Sequence, residues 1–161
     1  MPRYCIVPSP VGDLILLSDA TFTALTALWI IGEKHSSPIE ADWQLDENAL
    51  PAVRKQLAEY FSGKRTSFDV PISPQGTAFQ LQAWQALREI PYGTTLSYGQ
   101  QAARIGNPKA CRAIGLANGR NPISIIVPCH RVIGSSGALT GYGGGIAAKR
   151  WLLDHESTYK K

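Results

Sequence analysis

With 161 residues, 16 lysines and arginines against 12 acids and a net charge of +4, the chain can bury a core without covalent staples, as one sizeable domain or two small ones. Three cysteines, Cys5, Cys111 and Cys129, with no CxxC pair, argue against a disulfide framework and against a four-ligand zinc site. The opening "MPRYCIVPSPVG" lacks the apolar core of a signal peptide and no later run has the length to cross a bilayer, so a soluble protein of a reducing, intracellular compartment is expected.

Three short apolar runs, residues 4–7, 14–17 and 24–31, are separated by Pro, Gly, Asp and Thr and predict a small antiparallel meander. Leu50, Val53, Leu57, Tyr60 and Phe61 then recur at helical spacing, with Gly63 where a helix would end, so a helix should cover that sheet. A further short strand is expected over residues 68–70, and Pro71, Pro74 and Gly76 mark a linker.

Beyond the linker the pattern turns helical. Thr77 can cap a helix carrying Phe79, Ala83, Trp84, Leu87 and Ile90, stopped by "IPYG". Ser97 can cap a short helix to Ile105, with Gly106 after it, and Asn107 and Pro108 read as the cap and first-turn proline of a second helix to Asn118. Two short helices joined by a tight Gly-containing turn are the helix-turn-helix pattern, shared with many helix corners that never touch DNA.

At about 100° per residue, Ala110, Cys111, Ile114 and Ala117 of the second helix form an apolar side, and Arg112 stands opposite beside Gly115 and Gly119. Each glycine weakens a helix by about 1 kcal/mol, so the pair suggests that something large approaches closely; the alternative is helix packing with a solvated Arg112. Between Arg104 and Arg131 lie Lys109, Arg112, Arg120 and His130 and no acid, a footprint for phosphate or a solvated basic face.

The run "NPISIIVPCHRVIG" predicts a buried strand that ends on Cys129, His130 and Arg131. A free thiol of pKa about 8.5 is about a tenth ionised near pH 7.5, so nucleophilic work needs a base or a positive charge, and His130 and Arg131 are candidates. Neighbours in extended chain point to opposite sides, which places a bridging water between Cys129 and His130. Taken singly, an inert cysteine and a satisfied histidine are the more ordinary readings. The "TGYGGG" loop lacks the spacing of a phosphate-binding GxxxxGK[ST] loop, and the helix over residues 146–156 ends on Glu156, either a solvated acid or a carboxylate that orients a histidine.

Taken together, "PCHRVIG" at residues 128–134, "RAIGLANGRNPISIIV" before it and "SSGALTGYGGG" and "KRWLLDHE" after it resemble the O6-alkylguanine-DNA alkyltransferases, without gaps from Thr77 to Glu156. The amino-terminal half is similar in outline, through "SPVGDLIL" and the helix before "YFSGK". The resemblance implies an α+β fold: an RNase H-like α/β lobe with a small antiparallel sheet over residues 1–74, and a mostly helical alkyltransferase lobe with a helix-turn-helix over residues 75–161.

It also implies direct-reversal DNA repair, in which a methyl or other alkyl group passes irreversibly from O6 of guanine, or O4 of thymine, to Cys129 after base flipping, once per molecule and without a cofactor. By the same resemblance His130 acts as base through a water and Glu156 orients it. Asn121 is the hinge that ties the helix-turn-helix to the active-site segment. Tyr98 presses on a phosphate and donates a proton to the purine. Arg112 is the finger that fills the emptied base stack, with Ala113 and Gly115 on the same DNA-binding helix. Cys129, Val132 and Gly143 line the alkylguanine pocket with the ring of Tyr142. The implied partner is double-stranded DNA, entered from the minor groove by a cytoplasmic monomer open to cooperative binding, with no membrane association.

Some members carry zinc in the first lobe; only Cys5 and His35 are plausible ligands here, so no metal is expected. Some also have Gln and Ser where this chain has Gly99 and Gly143. The rival readings are a papain-like cysteine hydrolase, a non-catalytic alkyl-DNA sensor lacking the nucleophile, and a helix-turn-helix regulator that would tolerate Cys129→Ser.

Overall fold

Three β-compatible runs with turns between them pair as their pattern predicts: β1 (Arg3–Val7), β2 (Leu14–Ser18) and β3 (Leu25–Ile30) form an antiparallel meander. A computed structural model describes residues 1–33, 38–139 and 141–160 of the chain; His35 and Thr140 lie outside the described residues. A two-residue β4 (Gln44–Leu45) joins β1 in parallel, giving the order β3-β2-β1-β4. All five residues of β2 are buried, because the sheet is covered on both faces. Leu14 and Leu16 belong to the main core with Val53, Leu57 and Tyr60 of α1 (Pro51–Phe61), while Ile15 and Leu17 pack with Trp29, Tyr4 and Trp43 on the other side. Gly63 ends the turn after α1 at φ 81, a conformation that suits glycine.

No strand forms over residues 68–70. The Gln56 side chain accepts the Asp69 backbone N–H at 3.0 Å, so a donor a ladder would need is already taken, and contact with the sheet shifts to a single bridge between Ile72 and Leu25.

The second half is helical. Capping boxes at Thr77–Gln80 and Ser97–Gln100 open α2 (Ala78–Arg88) and α3 (Tyr98–Arg104), each satisfying end donors reciprocally. The next helix, α4 (Cys111–Gly119), starts three residues later than the Asn-Pro signal predicts. Asn107 donates its N–H to Ala102 O at 3.0 Å, closing α3 behind Gly106, and a turn to Ala110 intervenes before helical bonding resumes. Cys111 therefore sits exposed in the first turn, not on the apolar side. That side is Ile114 and Ala117, packed on Ala83 and Ala102. Gln101 and Asn118, both buried, exchange amide hydrogen bonds of 3.0 and 2.8 Å, and Trp84 Nε1 donates to Ala117 O at 2.8 Å. The α3–α4 pair is thereby held at a fixed angle by satisfied polar groups.

A short parallel pair, β5 (Leu96–Ser97) with β6 (Val132–Ile133), ties the start of α3 to the residues after Cys129. The last helix, α5 (Ile146–Tyr159), continues beyond Glu156, which lies inside it rather than at its end. One core joins both halves, from Leu14, Leu28 and Tyr60 to Leu87, Ile123, Val127 and Leu152. No helix among the described residues is long and apolar enough to cross a membrane.

Candidate active site

The β-branched run before Cys129 is not a strand. It touches the sheet through one bridge, Ile123 to Leu28, and otherwise winds through turns, with Ile125 at φ 72. The reason is local. Buried Asn121 donates from Nδ2 to Val127 O at 2.8 Å and accepts the Ile123 N–H on Oδ1 at 3.0 Å, so one amide side chain folds the segment over itself. Pro122 and Pro128 remove backbone donors at either end. Cys129–Arg131 then forms a single 3-10 turn, so Cys129 and His130 do not face opposite ways as extended chain would place them.

This turn delivers a half-buried thiol and two buried side chains to α5. His130, 0% exposed, meets Glu156 Oε2 through Nε2 at 2.6 Å. Arg131 donates from Nε to Oε1 at 2.8 Å and from Nη2 to Oε2 at 3.1 Å, and its Nη1 reaches Ile90 O at 2.7 Å. Tyr60 Oη donates to the same Oε2 at 2.7 Å. Arg131 is thus bound to the carboxylate rather than to the thiol, and it leaves the exposed basic surface to Arg104, Lys109, Arg112 and Arg120. The positive charge felt by Cys129 is that of Lys149, a buried residue of α5 that also donates to Val132 O at 2.6 Å.

Each group's charge state follows from this placement. Burial pushes the Cys129 thiol up to about 11, opposed by a hydrogen bond from Asn121 and by Lys149. Burial also pushes His130 down, keeping it neutral, although Glu156 pulls the other way. For Glu156 burial acts upward, but the hydrogen bonds and charges of His130 and Arg131 outweigh it and hold the carboxyl well below its usual range. Among the described residues His130 Nδ1 has no hydrogen-bond partner, so the ring keeps one nitrogen on the carboxylate and the other open for a proton.

A second feature adjoins the first. Gly115, Leu116 and Gly119 of α4, with Arg120 just after it, face Gly141, Tyr142, Gly143 and Ile146 across a cleft of about 530 Å³. Tyr142 links cleft and thiol: its ring walls the cleft, and its hydroxyl is pushed upward by burial and by the charge of Cys129. Tyr98 stands between α4 and this loop, its ring 4.0 Å from where a Cβ on Gly115 would lie and its hydroxyl 3.4 Å from one on Gly141. A Cβ on Gly144 would lie 2.6 Å from Ile30 Cδ1 and 2.9 Å from the Tyr142 ring, so any larger residue there would have to displace one of them.

The structure therefore brings Cys129, His130, Glu156 and Asn121 together, with Val132 buried, leaves Arg112 and Ala113 exposed on α4, and sets Gly115 beside Tyr98 and across the cleft from Gly143. Sequence reasoning missed Tyr60 and Lys149 of the network, the exposed Leu116 and Ile146 of the cleft rim, and Glu33, whose carboxylate accepts from Ser124 Oγ at 2.9 Å and lies in electrostatic reach of Cys129. Leu116, 68% exposed, was the one with a readable signal, an apolar residue on the arginine side of the helix.

Comparison with known proteins matches two family models in succession: the ribonuclease-like domain of 6-O-methylguanine DNA methyltransferase over residues 3–74 and its DNA binding domain over residues 78–158. Among curated proteins, a methylated-DNA–protein-cysteine methyltransferase of Methanosarcina acetivorans is 47% identical over 155 residues, covering 96% of this chain and 98% of its own. One of that name from Mycobacterium tuberculosis is 50% identical over 158 residues, covering 98% of this chain and 94% of its own. The solved O6-methylguanine methyltransferase of Mycobacterium tuberculosis superposes with a TM-score of 0.90 at 48% identity, covering 100% of this chain and 96% of that one. Its complex with DNA superposes equally well, at 0.90 and 48%, covering 98% and 94%.

Proposed function

Because the chain belongs to the 6-O-methylguanine DNA methyltransferase family, we propose that it is a DNA-binding repair protein that removes an alkyl group from O6 of guanine by taking it onto its own Cys129. The observation that carries the reading is the 3-10 turn that sets a half-buried thiol beside a neutral histidine hydrogen-bonded to an ionised carboxylate.

A thiol pushed up to about 11 stays protonated near neutral pH, so the resting protein is quiet. The thiol proton passes to His130 Nδ1 through a bridging water, and the imidazolium that forms is balanced by Glu156 and the thiolate by Lys149. The thiolate displaces the alkyl carbon in line: a C–S bond forms, the C–O6 bond breaks, and the electron pair leaves on the purine, which takes a proton from Tyr98. The product is a thioether with no carbonyl for water to attack, so each molecule reacts once. The same displacement serves O4 of thymine.

The alkylated oxygen is hidden inside a duplex, so the base must leave the stack at a cost of a few kcal/mol. We read α3 and α4 as a helix-turn-helix that docks in the minor groove. Arg112 enters the stack and Tyr98 works against the adjacent phosphate, while the extruded base occupies the cleft beside Tyr142 and Gly143 and reaches inward toward buried Val132 and Cys129. In this reading residues 1–74 and 75–161 are the two domains, and the protein works as a monomer.

Incubation with duplex DNA containing O6-methylguanine should add the mass of one CH2 per molecule, located on Cys129. The proposal fails if that residue stays unmodified or if Cys129→Ser still clears the lesion. Arg112→Ala should slow repair of duplex far more than reaction with free O6-benzylguanine, and equal losses on both would remove the finger role.

A further inference from the structure

Tyr60 belongs to α1, in the amino-terminal half, yet it reaches the carboxylate that serves His130. We propose that Tyr60 is a positioning residue for alkyl transfer, which sets through its hydroxyl how strongly Glu156 holds His130. The proposal rests on the reading of Cys129, His130 and Glu156 given above.

Tyr60 is 0% exposed and 96 residues from Glu156 in the chain. Among the described residues Glu156 Oε2 takes three donors, Tyr60 Oη at 2.7 Å, His130 Nε2 at 2.6 Å and Arg131 Nη2 at 3.1 Å, whereas Oε1 takes Arg131 Nε at 2.8 Å. A carboxylate oxygen has two lone pairs, so the three compete for one concentration of negative charge. Whatever Tyr60 withdraws is lost to the bond with His130. Its proton stays on the phenol, because burial and the charge of Glu156 both oppose ionisation, so it acts as a permanent donor.

The placement is not loose packing. Tyr60 also accepts a 2.7 Å hydrogen bond on its backbone oxygen from His155 Nε2, so α1 grips two successive residues of α5, one by main chain and one by side chain. Its ring is fixed by edge contacts with Phe61 and Tyr92 and by tilted ones with Phe68 and His155. The charged or titratable groups acting on His130 are Glu156, Arg131 and Lys149, with Cys129 preceding it in the same turn. Among the described residues the Tyr60 hydroxyl is the uncharged donor that the amino-terminal half brings to this set.

Tyr60→Phe keeps the ring, its contacts and the main-chain bond to His155, and deletes one donor. With that donor gone, Oε2 binds the His130 N–H more strongly and the imidazolium is favoured. The experiment uses the full chain, follows His130 by NMR titration, and measures the rate of transfer from free O6-benzylguanine between about pH 5 and pH 9. The expected result is a His130 midpoint raised by about one unit, an acid limb of the rate profile that moves with it, and unchanged affinity for undamaged duplex. Incorporating 3-fluorotyrosine at position 60, a stronger donor of the same shape, should move the midpoint the other way and covers the case in which the phenylalanine variant folds poorly. Superimposable titrations and rate profiles for all three proteins would overturn the proposal. A wild-type profile with no limb that follows His130 would instead overturn the reading of the site on which it rests.

Discussion

The meander β1–β3 and the segment from Asn121 to Ile133 are built from the same kind of residue, apolar and often β-branched, yet one is a sheet and the other a succession of turns. In the meander the central strand is paired along both edges, as in the register of Leu16 with Cys5 on one side and Leu28 on the other. In the second segment prolines close both ends, one asparagine side chain takes two of the backbone groups, and Leu28 supplies a single bridge. A sheet presents side chains perpendicular to a plane, whereas the turn sets Cys129 against Asn121 and Lys149 and brings both His130 and Arg131 onto Glu156 within one 3-10 step. Stability resides in the first arrangement and chemistry in the second.

Glu156→Gln tests that division most severely. It leaves buried Arg131 without its countercharge, at about 3–5 kcal/mol, and replaces one of the two accepting oxygens by an NH2 while removing the charge that balances a His130 imidazolium, so both unfolding free energy and transfer rate should fall sharply. The folded carboxyl lies below its unfolded value of 4.5, so its stabilising effect is present above that pH and lost as the pH falls beneath it. The gap between wild type and variant in urea titrations should therefore be widest near neutrality and narrow in acid.

A matched pair comes next. Leu16→Ala, in the fully buried centre of the sheet, should cost about 3 kcal/mol while leaving the rate per folded molecule unchanged. Asn121→Ala should cost about 2–4 kcal/mol by stranding Val127 O and the Ile123 N–H, and should also slow transfer about 100-fold by displacing the thiol. Equal rate effects from the two would erase the distinction.

The smallest effect has the opposite sign. Burial pushes Glu33 up from 4.5 to about 7, against the hydrogen bond from Ser124, so the folded state binds its proton more tightly than the unfolded one does. Stability from this residue is full below the unfolded value and declines as pH rises through the folded one. Glu33→Gln should thus be nearly neutral at about pH 4 and stabilising by about 1–2 kcal/mol at about pH 8, after allowance for solvent screening, as thermal unfolding at the two pH values would report.

What could be read from the chain follows the same divide. The meander, α1 and the capped helices α2 and α3 are written locally, in alternation, helical spacing and Thr or Ser three residues before Gln. The strand expected before Cys129 failed because β-branched composition says nothing of whether a partner strand exists, and Asn121 and the flanking prolines divert the backbone groups that would need one. The late start of α4 failed for a similar reason, since Asn107 closes the previous helix instead of opening the next. Cys129, His130 and Glu156 were legible as a chemical set, and the resemblance assigned their roles. Tyr60 and Glu33 were not, because their importance lies in contacts 96 and 91 residues away along the chain that no local pattern encodes.

The exposed first turn of α4 has a practical side for anyone who counts reactive molecules with thiol reagents. Cys111 stands in solvent, Cys5 is buried with its thiol pushed up, and Cys129 is half-buried and held at about 11. A maleimide or disulfide reagent will therefore label the residue beside Arg112 first, and an apparent stoichiometry of one would measure the wrong cysteine. The same accident offers a tool: a dye on Cys111 would sit next to the arginine and report DNA contact, while leaving the other two sulfurs untouched.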